Sequence, residues 1–243
     1  MTNVLPPPNI LLEQGAVILV NKPGGLLTQG PPGIDSLELR VKSFLKVRDE
    51  KPGKVYLGVP HRLDRPVSGV MVVVKNVRAA NRISQQIRDR TVTKVYWAVV
   101  AGDVETDSGR WENWMRKIPD QAKSEIVPES HEKAKHAVLD FVVKERFEVD
   151  GQRMTLLEIQ LHTGRTHQIR LQASSRNHPI IGDTLYGSEI EFGPQTDDFR
   201  CRWIALHAKS FAFEHPINHV PLEQTANLPE HWSVFPFSKV DHD

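Results

Sequence analysis

"HAVLDFVVKERFEVDGQRMTLLEIQLH", residues 136–162, is the stretch whose reading decides the fold. Two runs rich in apolar and β-branched residues flank the dipeptide Asp150-Gly151. Asp-Gly between such runs is a strong hairpin signal, because a tight two-residue turn needs positive φ at both positions. The spacing therefore predicts antiparallel strands over 136–147 and 153–162. Further strands are predicted on either side. "TKVYWAVVAG" (93–102) and "ALHAKSFAFEHP" (205–216) read as strands, and so does the short run Ala16–Val20. "GVMVVVK" (69–75) is continuously apolar and reads as a buried strand.

Helices are fewer. "SLELRVKSFLKV" (36–47) repeats Leu37, Val41, Phe44 and Leu45 at helical spacing. "RAANRISQQIRDR" (78–90) puts Ala79, Ala80, Ile83 and Ile87 on one face, with Arg78, Arg82, Arg88 and Arg90 around the remainder. "GRTHQIRLQASSRNHP" (164–179) reads as a turn and then a helix stopped before Pro179. Residues 103–136 are polar and broken by prolines, and irregular or short-strand structure is expected there. Residues 189–198 are expected to form an acidic surface loop. Many strands in hairpins with few helices make an α+β plan.

The chain has 243 residues, enough for a sizeable core, and no composition break divides it. The expected organisation is an N-terminal arm over 1–15, one domain over 16–237 and a tail over 238–243. Net charge is +1, so any nucleic-acid surface must come from uneven placement of charge. One cysteine, Cys201, excludes an intrachain disulfide and a cysteine-rich zinc site, and points to a reducing, cytoplasmic setting. "ILLEQGAVILV" (10–20) is too short and interrupted to span a bilayer, so no membrane association is expected. Eleven histidines show no metal-ligand spacing, and no phosphate-cradling glycine motif is present, so neither metal nor cofactor is expected.

Three stretches carry chemistry. In "HRLDRPVSG" (61–69), Arg62 and Arg65 flank Asp64. Cations so close favour the ionised carboxylate, which suits a nucleophile or a base. The plain alternative is a surface ion-pair cluster. In "TKVYWAVV", Lys94 and Tyr96 sit two apart on one strand face, and Tyr96 could equally be a core residue. In "HTGRTHQIRLQ", Arg165, His167 and Arg170 gather at a helix start, which suits anions. A capped helix with a solvated basic face would look the same.

Taken together these stretches resemble the RluA-like family of RNA pseudouridine synthases. "VNKPGGLLTQ", "HRLD" with "SG", "KVYWAVVAG", "GRTHQIRLQ" and "PIIGDTLYG" occur in the family's order across most of the chain. The resemblance implies one α+β catalytic domain with a long, largely antiparallel bent sheet, flanking helices and a central basic cleft. It implies isomerisation of uridines in tRNA or rRNA, with base flipping and without redox cofactor, metal or ATP. By resemblance Asp64 is the catalytic aspartate, Tyr96 stacks on the uracil, and Arg165 pairs with Asp64 and holds it ionised. Arg62 enters the RNA stack, and Arg65, Lys94, His167 and Arg170 are RNA-binding candidates. Pro66, Val67 and Gln172 depart from common family residues and bear on RNA preference. Too few residues precede the first strand for the S4-type RNA-binding domain of many members, so the basic side of the 78–90 helix is a candidate RNA surface. No obligate protein partner is implied. A catalytically silent RNA-binding or RNA-folding module and a histidine-based metal hydrolase are the rival readings.

Overall fold

The computed structural model describes residues 5–198 and 201–237. The chain opens with two strands, β1 (Asn9–Gln14) and β2 (Val17–Lys22), paired antiparallel across Gly15. The expected N-terminal arm therefore contains an edge strand. Glu13, Gln14 and Gly15, which interrupt the apolar run, are the hairpin end. Gly15 takes φ 57°, as a tight reversal requires. The expected tail over 238–243 lies outside the described residues.

Helix α1 (Leu37–Arg48) starts at Ser36, whose hydroxyl accepts from the Leu39 amide at 3.3 Å, and buries Leu37, Val41 and Leu45. Strand β3 (Ser68–Val74) pairs antiparallel with β2, and every residue of it is buried. Helix α2 (Val77–Asp89) follows, capped by Asn76, and buries Ala79 and Ile83. The all-apolar reading of β3 has a direct cause. Met71 and Val73 join a core that includes the buried face of α1, while Val70, Val72 and Val74 join a second core with Ala79 and Ile83 of α2. A strand covered on both faces has no polar side to show.

Strand β4 (Thr93–Ala101) leads to β5 (Ser108–Lys117), β6 (Ser124–Ile126), β7 (Lys135–Val149) and β8 (Gln152–Leu161). Asp150 and Gly151 have φ of 51° and 76°, and Val149 pairs with Gln152, so the two-residue hairpin is formed as expected. Irregular or short-strand structure is expected from the sequence over 103–136: β6 is such a short strand, but the ten-residue β5, paired with β7 from Ser108 to Met115, is a full one and corrects the rest. Its inward positions include Trp111, Asn113 and Met115. The Asn113 Oδ1 accepts from Gln172 and Arg176, each at 3.0 Å, so a polar partner replaces the apolar residue that alternation would need.

The short α3 (Gln168–Ser174) precedes β9 (Leu206–Glu214) and β10 (Pro221–Thr225), an exposed edge strand that the sequence did not suggest. Among the described residues all ten strands join one sheet in the order β1-β2-β3-β9-β4-β8-β7-β5-β6, with β10 also on β9. It is largely antiparallel, as the hairpin reading expects. The exception is β3 with β9, parallel over Ser68–Gly69 and His207–Ala208. No described helix is long and apolar enough to cross a membrane.

That parallel junction sets the distance between the 58–67 loop and β4. Gly69 holds φ 118°, and a Cβ there would strike the Ala208 backbone, lying 2.5 Å from its amide nitrogen. Gly69→Ala is expected to destabilise the protein by about 2 kcal/mol or more through overpacking and backbone strain. Urea denaturation checks this, and a midpoint equal to wild type would mean that the strands part at no cost.

Candidate active site

The stretch "HRLDRPVSG" becomes the loop entering β3. His61 anchors it. Its Nε2 accepts from the Val72 amide at 3.0 Å, and its ring stacks on Phe211 at 4.8 Å. Burial first, and the Lys94 charge second, push His61 down to about 3, so the imidazole stays neutral and free to accept.

The turn "NKPGG" holds the loop from beneath. Lys22, wholly buried, donates to the carbonyls of Pro23 (2.9 Å), Leu26 (2.8 Å) and Arg65 (3.2 Å). Thr28 donates to Leu63 O at 2.8 Å, and Arg65 Nε donates back to Gly25 O at 2.9 Å. Burial pushes Lys22 down to about 7, against the opposing charge of Asp64 and with that of Arg65. Three bonds thus cross between the turn and the residues on either side of Asp64.

The Asp64 side chain remains 26% exposed and opens on a cavity of about 390 Å³. That volume suits a small planar group. Arg170 Nη1 donates to Asp64 Oδ2 at 3.3 Å, and His167 Nε2 lies 3.7 Å from the same oxygen. Arg170 is itself gripped by Asp183, with Nε to Oδ2 at 2.6 Å and Nη2 to Oδ1 at 2.8 Å. Burial disfavours this guanidinium, but the Asp183 bonds and the charges of Asp183 and Asp64 outweigh it and raise its pKa. Asp183 is 1% exposed, so the fork is a buried ion pair whose third corner is Asp64.

Sequence reading therefore placed the wrong arginine against Asp64. Arg165 lies in the turn before α3 and donates through Nε to His136 O at 2.9 Å. The amide oxygen of Gln168 closes that turn by accepting from Arg165 N and Thr163 Oγ1. Arg170, one helical turn further on, is the residue that α3 presents to Asp64. The supporting acid Asp183 was also missed, although "GDTLYG" marked the place.

Tyr96 lines the same cavity from β4, with Lys94 two residues earlier on the same face. Tyr96 is 8% exposed, and burial, followed by the charge of Asp64, pushes its phenol above the usual tyrosine range. It offers an aromatic face and a neutral hydroxyl. His167 takes a left-handed conformation, and its Nδ1 shares a 3.0 Å hydrogen bond with the Tyr186 hydroxyl. Burial lowers the His167 pKa. Arg62 is exposed at the cavity rim. Arg65 faces inward and holds Gly25 O and, at 2.8 Å, Cys201 Sγ. Gln172 is buried, donating to Trp111 O and Asn113 Oδ1, and Val67 is buried in the core.

Among the described residues no three His, Cys, Asp or Glu side chains converge as a metal site. Chemically the site offers one carboxylate against a fixed guanidinium, an aromatic platform above a base-sized space, and further cations at the mouth.

The family model described as RNA pseudouridylate synthase matches residues 16–175. The ribosomal large subunit pseudouridine synthase D of Xylella fastidiosa is 34% identical over 232 residues, covering 92% of this chain and 67% of the relative. The uncharacterized RNA pseudouridine synthase YlyB of Bacillus subtilis is 34% identical over 228 residues, covering 91% and 69%. The solved structure of human RNA pseudouridylate synthase domain containing 4 shares the fold, with a TM-score of 0.73 at 23% identity over 93% of this chain and 90% of that one.

Proposed function

The chain belongs to the RluA-like family of RNA pseudouridine synthases and is an RNA-modifying isomerase, and from that premise we propose that it acts on ribosomal RNA in the cytoplasm with Asp64 as its catalytic carboxylate. The observation that carries the assignment of Asp64 is its place: it faces the cavity lined by Tyr96 while Arg170, locked by Asp183, holds it from behind. The catalytic unit is residues 16–237, with β1 added as an edge strand.

The reaction breaks the N1–C1′ bond of uridine and makes a C5–C1′ bond. The C5 proton leaves to solvent, and N1 takes one up, so no atom is gained or lost. The base must leave its stack to enter the cavity. Tyr96 receives its face, and exposed Arg62 stands where the vacated stack would close. Choice of ribosomal RNA rests on the relatives named for the large subunit.

The test is tritium release from C5-tritiated uridine in transcripts of large-subunit rRNA and of pooled tRNA, without metal or nucleotide. Release from the rRNA alone is the expected result. Release from tRNA alone would reverse the substrate assignment.

A further inference from the structure

The two side chains that meet Asp64 are both held by one short turn, and we propose that the second of them, His167, is a positioning residue that donates from Nε2 to Asp64 Oδ2 when substrate occupies the cavity. The inference rests on the assignment of Asp64 above and adds a residue to it. Arg170 Nη1 reaches Oδ2 at 3.3 Å, and His167 Nε2 stands 3.7 Å from the same oxygen. Among the described residues Oδ1 has no partner, which leaves it for the reacting atom. Asp183 grips Arg170 through both carboxylate oxygens. Three residues on, Tyr186 serves His167 in the same way. Its hydroxyl is 3.0 Å from Nδ1, and its ring meets the imidazole edge to face at 5.6 Å. The same ring lies 5.1 Å from the Arg170 guanidinium. Tyr186 N donates to Asp183 O at 3.0 Å, so the turn that carries both supports is itself closed.

The partners of Tyr186 select the tautomer of His167. The Ser124 amide donates to the Tyr186 hydroxyl at 2.9 Å, so that oxygen already accepts one bond. Its single proton can go to His167 Nδ1 at 3.0 Å or to Ser124 O at 3.4 Å, and the shorter contact makes the better bond. Nδ1 then accepts, and Nε2 carries the ring hydrogen. The other tautomer would set a bare nitrogen against the Asp64 carboxylate, lone pair to lone pair. Burial lowers the His167 pKa, which favours the neutral ring.

The backbone places the ring. His167 lines the cavity from a left-handed position, φ 55° and ψ 28°, just before α3. Ser124 Oγ donates to the carbonyl of the preceding Thr166 at 2.8 Å, so Ser124 of β6 holds both Tyr186 and the entry to His167. At 3.7 Å the His167–Asp64 contact is too long for a hydrogen bond. Catalytic hydrogen bonds are often long before substrate binds and tighten in its complex. A second donor on Oδ2 would then fix the carboxylate in rotation as well as in place.

Two substitutions separate this role from a structural one. The glutamine amide reaches as far as Nε2, so His167→Gln keeps a donor for Asp64 and gives up the bond to Tyr186. The asparagine amide reaches only as far as Nδ1, so His167→Asn keeps an acceptor for Tyr186 and gives up the donor for Asp64. Asparagine tolerates the left-handed conformation, so His167→Asn is expected to hold its Tm. The assay is single-turnover tritium release, on whichever of the rRNA and tRNA transcripts the wild type modifies. The rate is expected to fall about 10²-fold in His167→Asn, with RNA affinity unchanged, and to return to within about tenfold of wild type in His167→Gln. Equal rates in the two variants, or a slower His167→Gln, overturn the proposal. So does nitrogen-15 NMR of labelled histidine that finds the His167 ring hydrogen on Nδ1. Asp64→Asn, run beside them, tells the failures apart. If it keeps a rate within tenfold of wild type, the assignment of Asp64 falls and the role of His167 with it. If it is inactive while the two His167 variants match, only the role of His167 falls.

Discussion

Asp64→Asn is expected to lower the rate of pseudouridine formation by about 10⁴-fold or more, the scale seen when an essential catalytic side chain is removed. The fold should be untouched. Asp64 is a quarter exposed, the amide keeps an oxygen for Arg170, and Arg170 retains both of its bonds to Asp183. Affinity for RNA should hold or rise, because one negative charge leaves a mouth that already carries Arg62, Lys94 and Arg165. The measurement is single-turnover tritium release beside filter binding. A residual rate within tenfold of wild type would remove Asp64 from the chemistry.

Arg170→Met is expected to be the most damaging change to stability, by about 3–5 kcal/mol, because it strands the Asp183 carboxylate, 1% exposed, without its cation. It also removes the donor that fixes Asp64, so activity falls even in the fraction that folds. Arg170→Lys keeps the charge but not the fork, and about 1.5–3 kcal/mol is the expected loss. Arg165→Met is the informative contrast. Its guanidinium touches neither Asp64 nor Asp183, so its stability loss should stay near 1 kcal/mol, the worth of one ordinary hydrogen bond. Its effect on activity should appear in KM rather than kcat. Urea midpoints and steady-state kinetics on the three variants decide the matter. Equal losses from Arg165→Met and Arg170→Met would restore Arg165 as the partner of Asp64.

Much of the fold was legible in the chain. The Asp150-Gly151 hairpin, the buried β3 run and the two longer helices follow from local periodicity and turn chemistry. What escaped was the strand whose inward asparagine hides its alternation, the exposed β10, and β1, whose polar end was read as an interruption when it is a turn. The causes differ: Asn113 is satisfied by Gln172 and Arg176 far along the chain, whereas β1 and β10 pair with their sequence neighbours β2 and β9 but carry too much polar sequence to read as strands.

The site divides the same way. Sequence by itself, through motifs in the order of a known family, named Asp64, Tyr96, Arg165, Arg62, Arg65, Lys94, His167 and Arg170 as site candidates, and all of them but Arg65 line the one cavity. Only the tertiary structure decided which arginine meets Asp64, that Asp183 locks that arginine, and that Arg65 turns inward to Gly25 and Cys201. It also turned Arg165 to the His136 carbonyl. The reason is geometric. Strand and helix signals repeat over a few residues and can be read along the chain, whereas an ion pair is chosen by contact distances of about 3 Å that depend on how α3, β4 and the 58–67 loop are docked.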